Sequence, residues 1–137
     1  MNLIILTSKG NRHNYFAKKI IDNFIDHKIL LIRESKYRKK RIKFLNIIKS
    51  IKNTILNIFF KYYLNRFNFE KKNFENNFFK NYEYKIFDKY KINTMNLKES
   101  NTLNSNKNIN IIKDFQPDII AVMGTGLLSN RIIEIPK

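Results

Sequence analysis

The feature that most constrains the fold is a short apolar run, Ile119–Met123, which lies between residues that turn the chain. Pro117-Asp118 precedes the run and Gly124-Thr125-Gly126 follows it. A continuous apolar run of this length between turn residues is typical of a parallel strand buried on both faces. We therefore predict a central parallel strand here, preceded by a helix over residues 104–115 and followed by a short helix over residues 129–135.

The start of the chain alternates between strand and helix patterns in the same way. Residues 3–6 and 28–32 are short apolar runs, and residues 15–25 between them have apolar side chains at helical spacing, with Asn14 as the expected N-cap. A strand–helix–strand order opens a parallel sheet. With a further short strand predicted at residues 84–87, the fold class is α/β: a Rossmann-like open parallel sheet of about four strands. No element is predicted for residues 90–101.

Two loops of this sheet fall at the carboxyl ends of strands, where open α/β sheets bind their ligands. The residues are Gly10, Asn11, Arg12 and His13 after the first strand, and Gly124, Thr125, Gly126, Leu127 and Leu128 after the apolar run. The helix that follows the first loop would offer free backbone amides to an anion. A Gly-Asn pair is also ordinary turn chemistry, and both interpretations of the first loop stay open.

Length and composition restrict the class of protein. A chain of 137 residues corresponds to one domain. It has no cysteine and only two histidines, His13 and His27, so we predict neither disulfides nor a metal site. The first residues lack the basic leader and the apolar length of a signal peptide, and we expect a cytoplasmic location.

The net charge of +16 admits a polyanionic partner. However, the excess of Lys, Asn, Ile, Phe and Tyr also follows from the codons of an AT-rich genome, and no groove-reading or base-stacking motif accompanies the charge. Nucleic acid is therefore a possible partner that the sequence does not favour.

The middle of the chain, residues 36–81, is predicted to be a basic, Phe-rich helical insertion. Residues 36–66 begin with a basic run and continue with apolar residues at three- and four-residue spacing, which predicts a long amphipathic helix. Lysines interrupt it too often for it to span a bilayer. Its apolar face could rest on an anionic membrane surface, or pack against the rest of the domain or a partner subunit, and both alternatives stay open. Residues 68–81 predict a second, weaker helix.

Both ends of the chain resemble the formyltransferase N-terminal domain, the family of methionyl-tRNA, glycinamide ribonucleotide and sugar-nucleotide formyltransferases. The resemblance covers residues 103–105, the run from Phe115 through Pro117-Asp118 and Gly124-Thr125-Gly126-Leu127-Leu128, and the final residues 132–137. The start, residues 4–8 and 12–19, is similar to a less characterised branch that carries a basic insertion after its second strand.

This resemblance implies a cofactor and a substrate. In the family, the loop after this strand lines the pteridine pocket of 10-formyltetrahydrofolate, which implies cofactor binding by Gly124, Thr125, Gly126, Leu127 and Leu128. More weakly, it implies that Gly10, Asn11, Arg12 and His13 face the acceptor, a small-molecule amine or a nucleotide sugar. The implied reaction is attack of an amine on the formyl carbon, assisted by an Asn-x-His pair and an Asp.

The family's Asn-x-His pair should follow the Ile-Pro segment, on the next strand. None follows Ile135-Pro136, and His13 and His27 lie in elements that would not replace it. We therefore expect these residues to contain no catalytic Asn-x-His pair and to form an incomplete amino-terminal part of a formyltransferase-like protein that is inactive alone. The alternative is a basic module that binds nucleic acid or a membrane surface through the 36–66 helix.

Overall fold

The computed structural model describes residues 1–35, 54–98 and 102–136. Their regular elements are β1 (Asn2–Ser8), α1 (Asn11–Asn23), β2 (Lys28–Glu34), α2 (Thr54–Phe78), a 3₁₀ helix (Tyr84–Phe87), β3 (Asn93–Asn96), α3 (Asn106–Phe115), β4 (Ile119–Met123) and α4 (Asn130–Ile133). The chain divides into two compact units: Met1–Arg38 with Asn81–Lys137, and Lys39–Lys80.

The four strands form one parallel sheet in the order β3-β2-β1-β4. β1 pairs with β2 along its whole length, from Asn2 opposite Lys28 to Ser8 opposite Glu34. On its other side, β1 pairs with β4, from Leu3 opposite Ile119 to Thr7 opposite Met123. The predicted α/β class with an open, Rossmann-like parallel sheet is confirmed.

Alternate residues of a strand point to opposite sides, and in β1 and β2 the residues on both sides are apolar. Helices therefore cover both faces of this sheet. On one face the core is formed with α1 and the 3₁₀ helix, and its buried members are Leu3, Ile5, Ala17, Ile21, Ile29, Leu31 and Phe87. On the other face it is formed with α3 and α4, and its buried members are Ile4, Leu6, Leu30, Ile32, Leu97, Leu103, Ile109, Ile112 and Ile132. Burial of β1 and β2 on both sides explains their apolar runs.

The turn between α3 and β4 is joined to the beginning of β1. The backbone N–H of Asn2 donates to the Asp118 carboxylate at 2.6 Å, and the Asn2 side chain donates to the carbonyl oxygens of Phe115 and Gln116. Gln116 has a φ of 50°, which ends α3 with a left-handed residue before Pro117. These contacts set the register of β4 against β1.

The prediction that Ile119–Met123 is a central strand, buried on both faces, is wrong for the described residues. β4 lies at one end of the strand order, and Ile119 and Val122 are each 45% exposed. An apolar run of five residues indicates a strand, but it does not say how many neighbours the strand has. The central position belongs to β1 and β2.

Two local predictions are also wrong. Residues 84–87 form a 3₁₀ helix, in which Phe87 supplies a single buried ring, and the remaining strand is β3, whose sequence Asn-Thr-Met-Asn has no apolar run. Asn14 does not cap α1, because the helix begins at Asn11 after Gly10. The Asn14 side chain instead donates to the carbonyl oxygen of Tyr82.

In the second unit, α2 runs through parts of both helices predicted for residues 36–66 and 68–81. The first 18 residues of the predicted 36–66 helix, residues 36–53, lie outside the described residues. From Lys61 onward, α2 exposes a series of large apolar side chains: Tyr62, Tyr63, Leu64, Phe67, Phe69, Phe74 and Phe78. In the described part of the chain, no helix combines the length and apolar character needed to cross a membrane.

The two-sided burial of β1 predicts a strong dependence of stability on Ile5. Ile5→Ala removes a fully buried side chain and should lower the free energy of unfolding by about 3 kcal/mol. Ile25→Ala changes an exposed isoleucine and should alter it by less than about 0.5 kcal/mol. Urea denaturation of the two variants measures the difference, and equal effects would contradict this description of the core.

Candidate functional site

The carboxyl ends of the parallel strands lie along one edge of the sheet. β1 ends at Ser8, β2 at Glu34 and β4 at Met123. Because β1 and β4 are neighbours, the two predicted ligand-binding segments, residues 10–13 after β1 and residues 124–128 after β4, begin side by side. We call Ser8, Glu34 and these two segments the carboxyl-edge site.

His13 and Gly124 form the contact between the two segments. His13 lies in the first turn of α1 and is 9% exposed. Its ring packs so closely on Gly124 that a Cβ atom at this glycine would lie 2.9 Å from His13 Nδ1 and overlap the ring. Gly124 also has a φ of 69°, a conformation that residues with a side chain adopt only at a cost. Glycine is therefore required at position 124 for two reasons.

The 124–128 loop is held by hydrogen bonds to its backbone. The Ser8 hydroxyl donates to the Gly124 carbonyl, and the Gly126 N–H donates to Glu34 Oε2 at 3.0 Å. The Asn104 side-chain amide donates to the Leu127 carbonyl at 2.7 Å and accepts from the Ser129 N–H at 2.8 Å. β1, β2 and the segment before α3 thus all contribute to the shape of the loop.

The five residues predicted to bind the cofactor have different surroundings. Leu127 is 93% exposed, whereas Leu128 packs against the core on the α3 face of the sheet. Gly124 contacts His13, and the Thr125 hydroxyl donates to the Gly126 carbonyl at 3.1 Å. Leu127 is the apolar side chain of this loop that an incoming ligand can contact directly.

Sequence reasoning missed Glu34 and Arg33, which close β2 on opposite faces of the sheet. Glu34 is 2% exposed, and both of its carboxylate oxygens accept backbone N–H groups, those of Thr102 and Gly126. A signal was present in the sequence: two charged residues follow an apolar strand immediately at its carboxyl end. In a parallel sheet, that position faces the ligand edge.

Arg33 is 5% exposed and is stabilised by neutral groups. Its two terminal nitrogens donate to the side-chain oxygens of Asn14 at 2.8 Å and Asn96 at 3.2 Å, and its guanidinium carbon lies 4.3 Å from the centre of the Tyr84 ring. Burial lowers the pKa of Arg33 from its ordinary value, and Tyr84 acts in the opposite direction. Among the described residues, no ion pair neutralises its charge.

One Asn-x-His triplet does occur in the sequence, Asn11-Arg12-His13, although we expected no pair that could serve catalysis. On a strand, residues i and i+2 point to the same face and could act on one substrate atom. This triplet lies in α1, where residues i and i+2 do not face each other. The triplet therefore lacks the geometry of a catalytic pair.

The buried polar side chains of the site contact other parts of the same chain. Each oxygen of the Glu34 carboxylate accepts one backbone N–H group, and the His13 ring packs on Gly124. Within residues 1–35, 54–98 and 102–136, no group of three His, Cys, Asp or Glu side chains could hold a metal ion. Comparison of the chain with models of protein families, with curated proteins and with solved structures finds no match in any of the three.

The contact between Gly124 and His13 predicts an energetic coupling. Gly124→Ala should lower the free energy of unfolding by about 2 kcal/mol, because alanine is strained at positive φ and its methyl group displaces the His13 ring. In a His13→Ala background, the same substitution should cost about 1 kcal/mol, because only the backbone strain remains. Urea denaturation of the four proteins of this cycle measures the coupling, and equal costs in both backgrounds would show that the contact is not made.

Proposed function

We propose that this chain is a formyltransferase-like protein of the cytoplasm that binds 10-formyltetrahydrofolate at residues 124–128 and an amine acceptor at residues 10–13. One observation carries the proposal. The family resemblance implied these two roles for segments that lie far apart in the sequence, and the segments touch through His13 and Gly124. Formyl transfer needs donor and acceptor within bonding distance of each other, which adjacent binding loops can provide.

The chemistry of the site supports both ligands. The exposed Leu127 offers an apolar surface to the flat pteridine ring, and the neighbouring loop backbone is already ordered by hydrogen bonds. Near residues 10–13, the beginning of α1 and the buried charge of Arg33 favour negative charge. An acceptor that carries phosphate, such as a nucleotide sugar, fits that field better than an uncharged amine.

We further propose that these 137 residues bind the cofactor without transferring its formyl group. Transfer needs a hydrogen-bond donor for the developing oxyanion and a base for the amine proton. Among the described residues of the site, Glu34 is engaged with two backbone amides, and His13 and Asn11 do not share a face.

Cofactor binding can be tested by isothermal titration with tetrahydrofolate. The wild-type chain should bind, and Leu127→Asp should weaken binding at least tenfold, because it places a charge where the apolar ring would rest. Ile25→Asp introduces the same charge at another exposed aliphatic residue, remote from this loop in the sequence, and should leave the affinity unchanged. Absence of tetrahydrofolate binding to the wild-type chain would refute the proposal. Formylation of an amine by the purified chain would refute only the claim of inactivity.

A second candidate function, binding to an anionic membrane surface, rests on α2. Its described part exposes four aromatic side chains at spacings of four and seven residues, those of Tyr63, Phe67, Phe74 and Phe78. An exposed apolar stripe of this length marks an interaction surface. Lys61, Arg66, Lys71 and Lys72 lie on the same helix, and aromatic residues beside basic ones are typical of helices that lie in the membrane interface.

Paired variants separate this candidate from nucleic-acid binding. Phe67→Asp and Asn68→Asp change the charge equally at adjacent exposed positions, but only the first removes an aromatic ring. In sedimentation with vesicles that contain phosphatidylglycerol, Phe67→Asp should reduce binding at least tenfold more than Asn68→Asp. Vesicles of phosphatidylcholine alone should not bind. Equal losses for the two variants, together with binding to a DNA oligonucleotide that falls steeply with salt, would indicate nucleic acid instead.

A further inference from the structure

Glu34 connects three parts of the chain at the carboxyl-edge site. Its carbonyl oxygen accepts the N–H of Lys9, just after β1, at 3.0 Å. Its carboxylate accepts the N–H of Thr102, before α3, and the N–H of Gly126, in the 124–128 loop, each at 3.0 Å. One residue at the end of β2 therefore bonds to the segments that follow β1, β3 and β4.

The burial of this carboxylate needs a physical reason. Removing an ionised carboxylate from water is costly unless hydrogen bonds or an opposite charge replace the lost hydration. Among the described residues, no ion pair involves Glu34, so the two backbone N–H groups carry this compensation. Hydrogen bonds from N–H groups to a charged acceptor are stronger than those between neutral groups. The bonds that stabilise the charge also fix the two segments that donate them.

The positions of the two donors determine what is fixed. Gly126 is the middle residue of the 124–128 loop, so Glu34 restrains that loop at its centre. Thr102 begins the segment that contains Asn104, whose side chain bonds to the Leu127 carbonyl and the Ser129 N–H. The carboxylate thus acts on the loop directly through Gly126 and indirectly through Thr102 and Asn104.

We propose that Glu34 is the positioning residue of the carboxyl-edge site: it holds residues 124–128 in the conformation that presents Leu127 to a ligand. The hydrogen bonds described above fix the backbone of this loop and the Thr125 hydroxyl, and the Leu127 side chain is 93% exposed. The role in ordering the loop stands on these contacts alone. The consequence for folate affinity rests on the proposed function.

Glu34→Gln tests the role with little change in size. A glutamine has one acceptor oxygen and one NH₂ group, so it can accept only one of the two N–H groups and turns a donor toward the other. Amide hydrogen exchange at Thr102 or Gly126 should therefore accelerate at least tenfold, while exchange at residues 4–6 of β1 stays unchanged. Glu83→Gln, which removes the same charge at an exposed residue, should change neither.

Tetrahydrofolate titration of the same variants distinguishes the ordering of the loop by Glu34 from its consequence for folate affinity. Local acceleration of exchange with a roughly tenfold loss of affinity for Glu34→Gln supports positioning for the ligand. Local acceleration in a protein whose wild type does not bind tetrahydrofolate upholds the ordering of the loop and removes the proposed function. Unchanged exchange at both amides, or equal acceleration throughout β1, would overturn the positioning role.

If the Glu34→Gln variant does not fold, a measurement on the wild-type protein shows whether Glu34 accepts the two N–H groups. A through-hydrogen-bond NMR coupling should connect the side-chain carboxyl carbon of Glu34 with the amide nitrogens of Thr102 and Gly126. Detection of both couplings supports the two hydrogen bonds that the Glu34 carboxylate accepts. If neither amide shows a coupling while couplings between β1 and β2 are visible, Glu34 does not hold the loop.

Discussion

The structure depends on β1, which is hydrogen-bonded on both sides and buried on both faces, as its neighbour β2 also is. Its partners, β2 and β4, run parallel to it, so their carboxyl ends and its own lie at one edge. Every residue of the carboxyl-edge site follows from that arrangement, because each belongs to the end of one of these strands or to the segment just after it. The site is therefore a consequence of strand order rather than of any local motif.

The same edge concentrates charges that a core cannot hold without specific partners. Arg33 and Glu34 are consecutive, so the pleat of β2 sends them to opposite faces of the sheet. Arg33 is stabilised by two side-chain amides and an aromatic ring, and Glu34 by two backbone amides. Buried charges with such partners do not stabilise a fold more than apolar side chains at the same positions would. We therefore interpret these two arrangements in terms of loop geometry rather than stability.

The elements that could be predicted from the sequence are those in which side-chain periodicity and burial agree. β1, β2, β4 and α3 show apolar runs or helical spacing that burial on one or two faces demands. β3 could not be found this way, because Asn93 and Asn96 are exposed and its pairing with β2 is a tertiary interaction. The edge position of β4 was equally inaccessible, since sequence patterns report burial and not the number of neighbouring strands. α1 was predicted over residues 15–25, with Asn14 as its N-cap because asparagine is common there, although the helix begins at Asn11, directly after Gly10.

The two segments of the site were predictable, and the contacts within them were not. Parallel strands with ligand loops at their carboxyl ends follow from the βαβ pattern, so placing residues 10–13 and 124–128 at one edge required no coordinates. The contact of His13 with Gly124 and the hydrogen bond of Glu34 with Gly126 depend on strand order. Strand order decides which loops lie next to each other at the carboxyl edge. A glycine at a strand end indicates close approach without naming what approaches. Here the approaching group is a histidine of the same chain, so the two segments meet at Gly124, and Leu127 is the apolar side chain that the 124–128 loop leaves exposed.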